Sequence, residues 1–162
     1  MLKSSFEPII PVEPSILILG SLPGDRSIAQ IQYYAHPQNR FWKILFKHYQ
    51  VPLSVDYTSR IALLHQYGIA LWDICAQADR KGSMDTDINQ VIPNPINKLL
   101  KTHPSIKRVI FNGQKSEKLY KKYFKHLPEV TYYSLPSTSP ANAQFSLNTL
   151  QEIWSKALSI NT

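Results

Sequence analysis

The sequence predicts an α/β fold, a three-layer α/β/α sandwich around a central, mostly parallel four-stranded sheet. Four short strand candidates recur along the chain, stretches of helix length separate them, and three of the strands run directly into turn chemistry. Strands joined by helix-length crossovers pair in parallel and need helices to cover them. Right-handed crossovers then bring the carboxyl ends of the strands to one edge.

The first strand candidate, Ser15–Gly20, carries the apolar run Ile16-Leu17-Ile18-Leu19 and enters the turn Gly20-Ser21-Leu22-Pro23-Gly24. Helices are expected over Asp25–Gln32, which Asp25 or Ser27 can cap, and over Phe41–Tyr49. Thr58–Tyr67 sets Ile61, Leu64 and His65 on one helical stripe and leads to the second strand, Gly68–Trp72. Asp79–Asp87 reads as a polar loop able to reach over a cleft. A helix over Pro95–His103 precedes the strand Arg108–Asn112, and a helix over Gln114–Phe124 precedes the strand Val130–Leu135. In the last helix, Ser146–Leu158, residues Leu147, Leu150, Ile153, Trp154 and Leu158 fall at helical spacing. The residues just past the strand ends, Ser21–Gly24, Asp73, Asn112-Gly113 and Pro136–Asn142, are expected to converge on one cleft.

A chain of 162 residues fits one domain spanning 1–162, with enough apolar content to bury a core. The single cysteine, Cys75, excludes an internal disulfide and any four-cysteine metal or iron–sulfur cluster, so the cytoplasm is the expected compartment. Residues 1–6 lack an apolar signal core, and no apolar run approaches the roughly 20 residues that span a bilayer. The net charge is +7 and unevenly placed. Between positions 98 and 125, Lys98, Lys101, Lys107, Arg108, Lys115, Lys118, Lys121, Lys122 and Lys125 face only Glu117. Such a run is either a basic face for a polyanion or a solvated helix surface.

Gly20 and Gly24 bracket a turn where backbone can approach a ligand closely. The turn matches neither a phosphate-binding P-loop nor a dinucleotide fingerprint, which argues against a nucleotide cofactor. In Tyr33-Tyr34-Ala35-His36-Pro37-Gln38-Asn39-Arg40-Phe41-Trp42, Asn39 can orient a water through its carbonyl oxygen, bond a ligand, or cap the next helix. His36 is either a base or phosphate contact or a surface imidazole. Tyr33 and Tyr34 are core aromatics or a stacking platform for a planar base. Asn112 can read two edge atoms of a heterocycle, or simply begin a turn with Gly113. In Leu135-Pro136-Ser137-Thr138-Ser139-Pro140-Ala141-Asn142, hydroxyls and amides suit phosphate oxygens, and Pro140 or Ala141 can press into a base stack. Asp73 and Asp85 are available carboxylates, Asp73 reading as a cap or brace. No serine–histidine–acid order and no metal-ligand spacing occurs.

Taken together, the segments 20–27, 34–43, 70–73, 109–113 and 135–142 resemble the uracil-DNA glycosylase superfamily, most closely its hypoxanthine-DNA glycosylase branch. The resemblance covers residues 15 to about 158. It implies a monofunctional enzyme that flips a deaminated base out of DNA and hydrolyses its N-glycosidic bond without a cofactor or metal. It also implies a monomer acting on DNA that contains a deaminated base. By the same resemblance, Asn39 and His36 are the catalytic candidates, and Tyr34, Asn112, Ser21 and Leu22 surround the base. Ser137, Thr138, Ser139, Pro140, Ala141 and Asn142 contact DNA, with Ser137 on a phosphate and 139–142 as the wedge. Leu22 stands where related branches carry Asn or Asp, which shifts the water-orienting role to Asn39. Leu135 stands where several relatives carry His or Asn, removing the donor that would stabilise a departing uracil anion. Both departures favour a purine lesion. A uracil or G·U/G·T mismatch glycosylase and a non-catalytic nucleic-acid-binding module on the same fold are the alternatives.

Overall fold

The computed structural model describes residues 2–159. Strands β1 (Leu2–Ser4), β2 (Ile16–Gly20), β3 (Ile69–Asp73), β4 (Cys75–Asp79), β5 (Asn89–Pro93), β6 (Arg108–Asn112) and β7 (Thr131–Leu135) alternate with six helices. The helices are α1 (Asp25–Gln30), α2 (Phe41–His48), α3 (Tyr57–Gln66), α4 (Ile96–Thr102), α5 (Gln114–Tyr123) and α6 (Leu147–Ser159). The main sheet runs β3-β2-β6-β7, and all its neighbours pair in parallel. These are the four strands expected from sequence, with ends shifted by a residue or less.

Period-two alternation divides the sheet residues between two cores. Ile16, Ile18, Ile69, Leu71, Ile110 and Leu135 pack with Phe41, Trp42, Leu64 and Trp154 from α2, α3 and α6. Leu17, Leu19, Ala70, Trp72, Val109 and Phe111 pack with Ile96, Leu99, Leu119 and Tyr120 from α4 and α5. This is the three-layer sandwich. Both faces are covered, which is why β2, β3 and β6 are buried at every position.

A second, antiparallel sheet ordered β1-β4-β5 was not expected. Its strands carry little apolar alternation: Asn89-Gln90-Val91-Ile92-Pro93 is mostly exposed. Pairing between the amino-terminal segment and residues some 75 positions later creates it, with Leu2 opposite Asp79. Part of the expected 79–87 loop is therefore the end of β4, and the remainder includes a single 3-10 turn over Asp85–Asp87. Arg80, with no exposed surface, ties this loop to the first turn. Its guanidinium donates to the carbonyls of Leu22 (3.4 Å), Pro23 (2.5 Å) and Gly82 (2.7 Å). Among the described residues no helix is long and apolar enough to cross a membrane.

Arg108 corrects the reading of the basic run. It lies at the start of β6, only 7% exposed, and its Nη1 donates to the carbonyls of Ala157 (2.7 Å) and Leu158 (3.2 Å). A cation there satisfies carbonyls in the last turn of α6, where the helix dipole is negative. It is therefore a structural charge inside the sandwich and not part of a basic face.

Candidate active site

Gly20, Asp73, Asn112 and Leu135 end the four parallel strands, and alternation points all four toward the α2/α3/α6 side. A cleft of about 910 Å³ opens at this edge. Every candidate residue named from sequence lines it: Ser21, Leu22, Tyr34, His36, Asn39, Asn112 and the loop from Ser137 to Asn142. The cleft also takes in Asp73, Met84 and Asp85, and Lys115 and Lys118 from α5.

The segment before α2 is held rigidly. Tyr33 is buried, its hydroxyl donating to the Glu7 carbonyl (3.0 Å) and its carbonyl accepting from the Trp42 indole (3.0 Å). Tyr34 adopts a left-handed backbone conformation, φ 54°, which a non-glycine residue takes up at a cost of about 1–3 kcal/mol. Its ring stacks on Phe41 at 4.1 Å between centroids. Burial, then the Asp73 carboxylate, push its hydroxyl well above the ordinary tyrosine range, so it is a permanent O–H donor.

The Asn39 carboxamide accepts from the Phe41 backbone N–H (2.9 Å), and the Asn39 N–H donates to the His36 carbonyl (2.9 Å). Arg40 is the N-cap of α2, without a side-chain cap bond, so the cap expected of Asn39 is corrected to a tight turn one residue earlier, in a residue that lines the cleft. The turn fixes the side chain and leaves a second carbonyl lone pair and the Nδ2 hydrogens for a water or ligand. His36 is exposed, and its Nδ1 accepts from the Gln38 N–H (3.1 Å). Nε2 is then its outward-facing nitrogen.

Asn112 is less available than expected. Its Oδ1 accepts from the Thr138 N–H (3.0 Å) and its Nδ2 donates to Thr138 Oγ1 (3.0 Å). The remainder of the carboxamide is turned to the Tyr34 hydroxyl at the cleft. Thr138 in turn is fully buried, so the DNA contact expected of it is corrected to a brace for the loop. Ser21 is also engaged, donating to Asp85 Oδ1 at 2.6 Å. Leu22 is 6% exposed and packs with the α4/α5 core, turning a small part of its surface to the cleft.

The loop beyond β7 is organised by Arg40, which sequence reading passed over. Its guanidinium donates to the carbonyls of Phe145 (2.5 Å), Ser139 (2.9 Å) and Asn142 (3.0 Å), about a hundred residues away. Its own N–H bonds the Thr138 carbonyl (3.1 Å). Asn142 Nδ2 donates to the Ser137 carbonyl (3.0 Å), and Ala141 is left exposed at the tip. Gly113, at φ 98°, lets the Ser137 side chain lie where a Cβ would be, 3.1 Å away.

At the base of the cleft, Gly20 and Asp73 are register partners, and the missing Gly20 Cβ makes room for the carboxyl. A Cβ there would sit 2.5 Å from Asp73 Oδ1 and 3.2 Å from Tyr34 Oη. Among the described residues, Asp73 Oδ2 is buried without a hydrogen-bond partner, and the Tyr34 hydroxyl is turned to the Asn112 side chain. Burial, then the neighbouring Asp85, raise the Asp73 carboxyl to about 7. Lys115 and Lys118 line the same cleft as these carboxyls and set positive charge against them. Among the described residues no group of three His, Cys, Asp or Glu is placed to hold a metal.

The model of the uracil DNA glycosylase superfamily matches residues 7–158. The chain belongs to the uracil-DNA glycosylase superfamily. Within the superfamily, it is 39% identical over 158 residues to a hypoxanthine DNA glycosylase of Methanosarcina barkeri, covering 97% of this chain and 98% of that protein. It is 34% identical over 149 residues to a hypoxanthine DNA glycosylase of Methanosarcina acetivorans, covering 91% and 93%. A solution NMR structure described as a candidate uracil DNA glycosylase from Methanosarcina acetivorans superposes with a TM-score of 0.80, at 31% identity over 98% of this chain and 97% of that one. The superfamily fold and the strand-edge cleft thus coincide.

Proposed function

We propose that this protein is a monofunctional DNA glycosylase that removes hypoxanthine from deoxyinosine, acting as a single-domain monomer on DNA in the cytoplasm. The observation that carries the reading is the Asn39 carboxamide, pinned by the Phe41 N–H on the cleft wall that also holds Tyr34 and Asn112. Pre-orientation of this kind suits an amide that positions a water without strong basicity, because the departing base and cationic sugar do most of the bond-breaking. Asn39 holds the water, His36 assists from the rim, and the exposed face of Tyr34 stacks on the flipped base. Asn112 meets the base edge. Ser137 meets phosphate, while the segment Ser139–Asn142 enters the gap left by the flipped nucleotide. Leu135 lines the cleft, and the resemblance implies that a donor to uracil is missing at this position, which supports a purine substrate.

The test incubates the protein with duplexes carrying deoxyinosine, deoxyuridine or a G·T mismatch, with and without alkali. Free hypoxanthine and strand breaks that require alkali are expected from the deoxyinosine duplex. Preference for deoxyuridine would make it a uracil enzyme. If it binds DNA but releases no base from any duplex, it is a binding module. Asn39→Ala is expected to bind DNA with unchanged salt dependence while turnover falls about 10²-fold or more.

A further inference from the structure

Resting on the glycosylase reading, we propose that Asp73 is a further catalytic residue, the general acid that delivers a proton to N7 of the departing purine. Asp73 ends β3 beneath the cleft, 4% exposed, and its Oδ2 has no hydrogen-bond partner among the described residues. The adjacent Tyr34 hydroxyl is turned to the Asn112 side chain. A buried carboxyl oxygen left unsatisfied at the floor of the cleft is a site whose partner arrives with the substrate.

The surroundings keep the proton on Asp73. The groups facing it are Asp85 from the 3-10 turn, Arg80 beyond β4, Cys75 on β4, and Tyr33 and Tyr34. The single cation of this set, Arg80, is committed to three backbone carbonyls and to Asp25 at 3.8 Å. Burial pushes the Asp85 carboxyl above its usual range, while the Ser21 hydroxyl it accepts at 2.6 Å, Arg80 and Lys115 favour its anion and hold that rise in check. A carboxylate beside a carboxylic acid is the arrangement that separates an anion from a proton donor.

In the step itself the Asp73 O–H breaks and its proton passes to N7. The C1′–N9 bond breaks with both electrons going to the base, which leaves as neutral hypoxanthine. Water held by Asn39 adds to the oxocarbenium carbon, and the proton it loses returns to the Asp73 carboxylate through solvent. The sum is hydrolysis by one water.

Single-turnover cleavage of duplexes containing deoxyinosine or 7-deaza-deoxyinosine, by wild type and Asp73→Asn from about pH 5.5 to about pH 8.5, tests this. On deoxyinosine the wild-type rate is expected to fall about tenfold per pH unit above about pH 7, and Asp73→Asn to be about 10²-fold slower at low pH without that limb. The 7-deaza substrate, which has no N7 to protonate, is expected to be cut equally slowly by both proteins while binding as tightly as deoxyinosine. Wild-type cleavage of the 7-deaza duplex at the deoxyinosine rate overturns the proposal, and this arm needs no variant to fold. So does an Asp73→Asn enzyme that keeps the wild-type rate and pH limb. If wild type releases no hypoxanthine at any pH, the glycosylase reading itself fails and the role of Asp73 with it.

Discussion

Asp73→Asn has a consequence for folding that is independent of catalysis. The carboxyl titrates near 3.8 when unperturbed and near 7 in the folded protein, so the native state binds more protons than the unfolded chain between those values. Stability is therefore full below about pH 4, declines as pH rises through the window, and levels off above about pH 7. At 1.36 kcal/mol per pH unit the whole decline is about 4 kcal/mol. Asp73 is 4% exposed, so solvent screening does not reduce this figure appreciably. Asparagine keeps the shape and cannot ionise. At pH 8 the variant is expected to exceed wild type by about 4 kcal/mol, which for a chain of this length is a rise in Tm of about 10 °C. At pH 4 the two should nearly coincide. Urea denaturation of both proteins across this range reads the difference, which includes the relief of the repulsion between Asp73 and Asp85. Parallel stability curves for wild type and Asp73→Asn would refute the assignment of a buried, proton-retaining carboxyl at this position.

Gly20→Ala places a methyl 2.5 Å from Asp73 Oδ1, forcing the carboxyl aside by about 1 Å. Glycosylase rate is expected to drop about 10²-fold with a stability loss of about 1–3 kcal/mol, read by single-turnover kinetics and thermal melts. Arg40→Met removes the donor to Ser139, Asn142 and Phe145, so the 136–145 loop should become a protease target. The expected cost is about 3 kcal/mol, and an unchanged melting point would show that the loop holds its own shape. The double variant Lys115→Gln/Lys118→Gln removes two cations from the cleft rim. Its slope of log binding constant against log salt should be shallower by about 2, and an unchanged slope would place DNA elsewhere.

The alternation of strand and helix was legible because it rests on local patterns. The run Ile16-Leu17-Ile18-Leu19 and the 3.6-residue stripe of α6 each encode burial within a few residues of chain. The second sheet was not legible for the converse reason: Cys75-Ala76-Gln77-Ala78-Asp79 has no strong strand pattern and acquires strand geometry from partners at Leu2–Ser4 and Asn89–Pro93. Arg108 illustrates the same limit. By composition it extends a basic run, yet packing puts it on the carbonyls of α6.

Sequence alone determined the four-stranded parallel sheet, the family resemblance and the segments that meet at the strand ends, since each is written in residues close together along the chain. Tertiary structure alone decided what those residues do for one another. Asn112 and Thr138 satisfy each other's polar groups across 26 positions, and Arg40 holds a loop about a hundred residues away. Asp73, which reads as a brace in the sequence, lies opposite a glycine with no partner for one oxygen. Burial, and whether a polar atom is satisfied, are properties of atoms brought together by long-range folding, and no local pattern reports them.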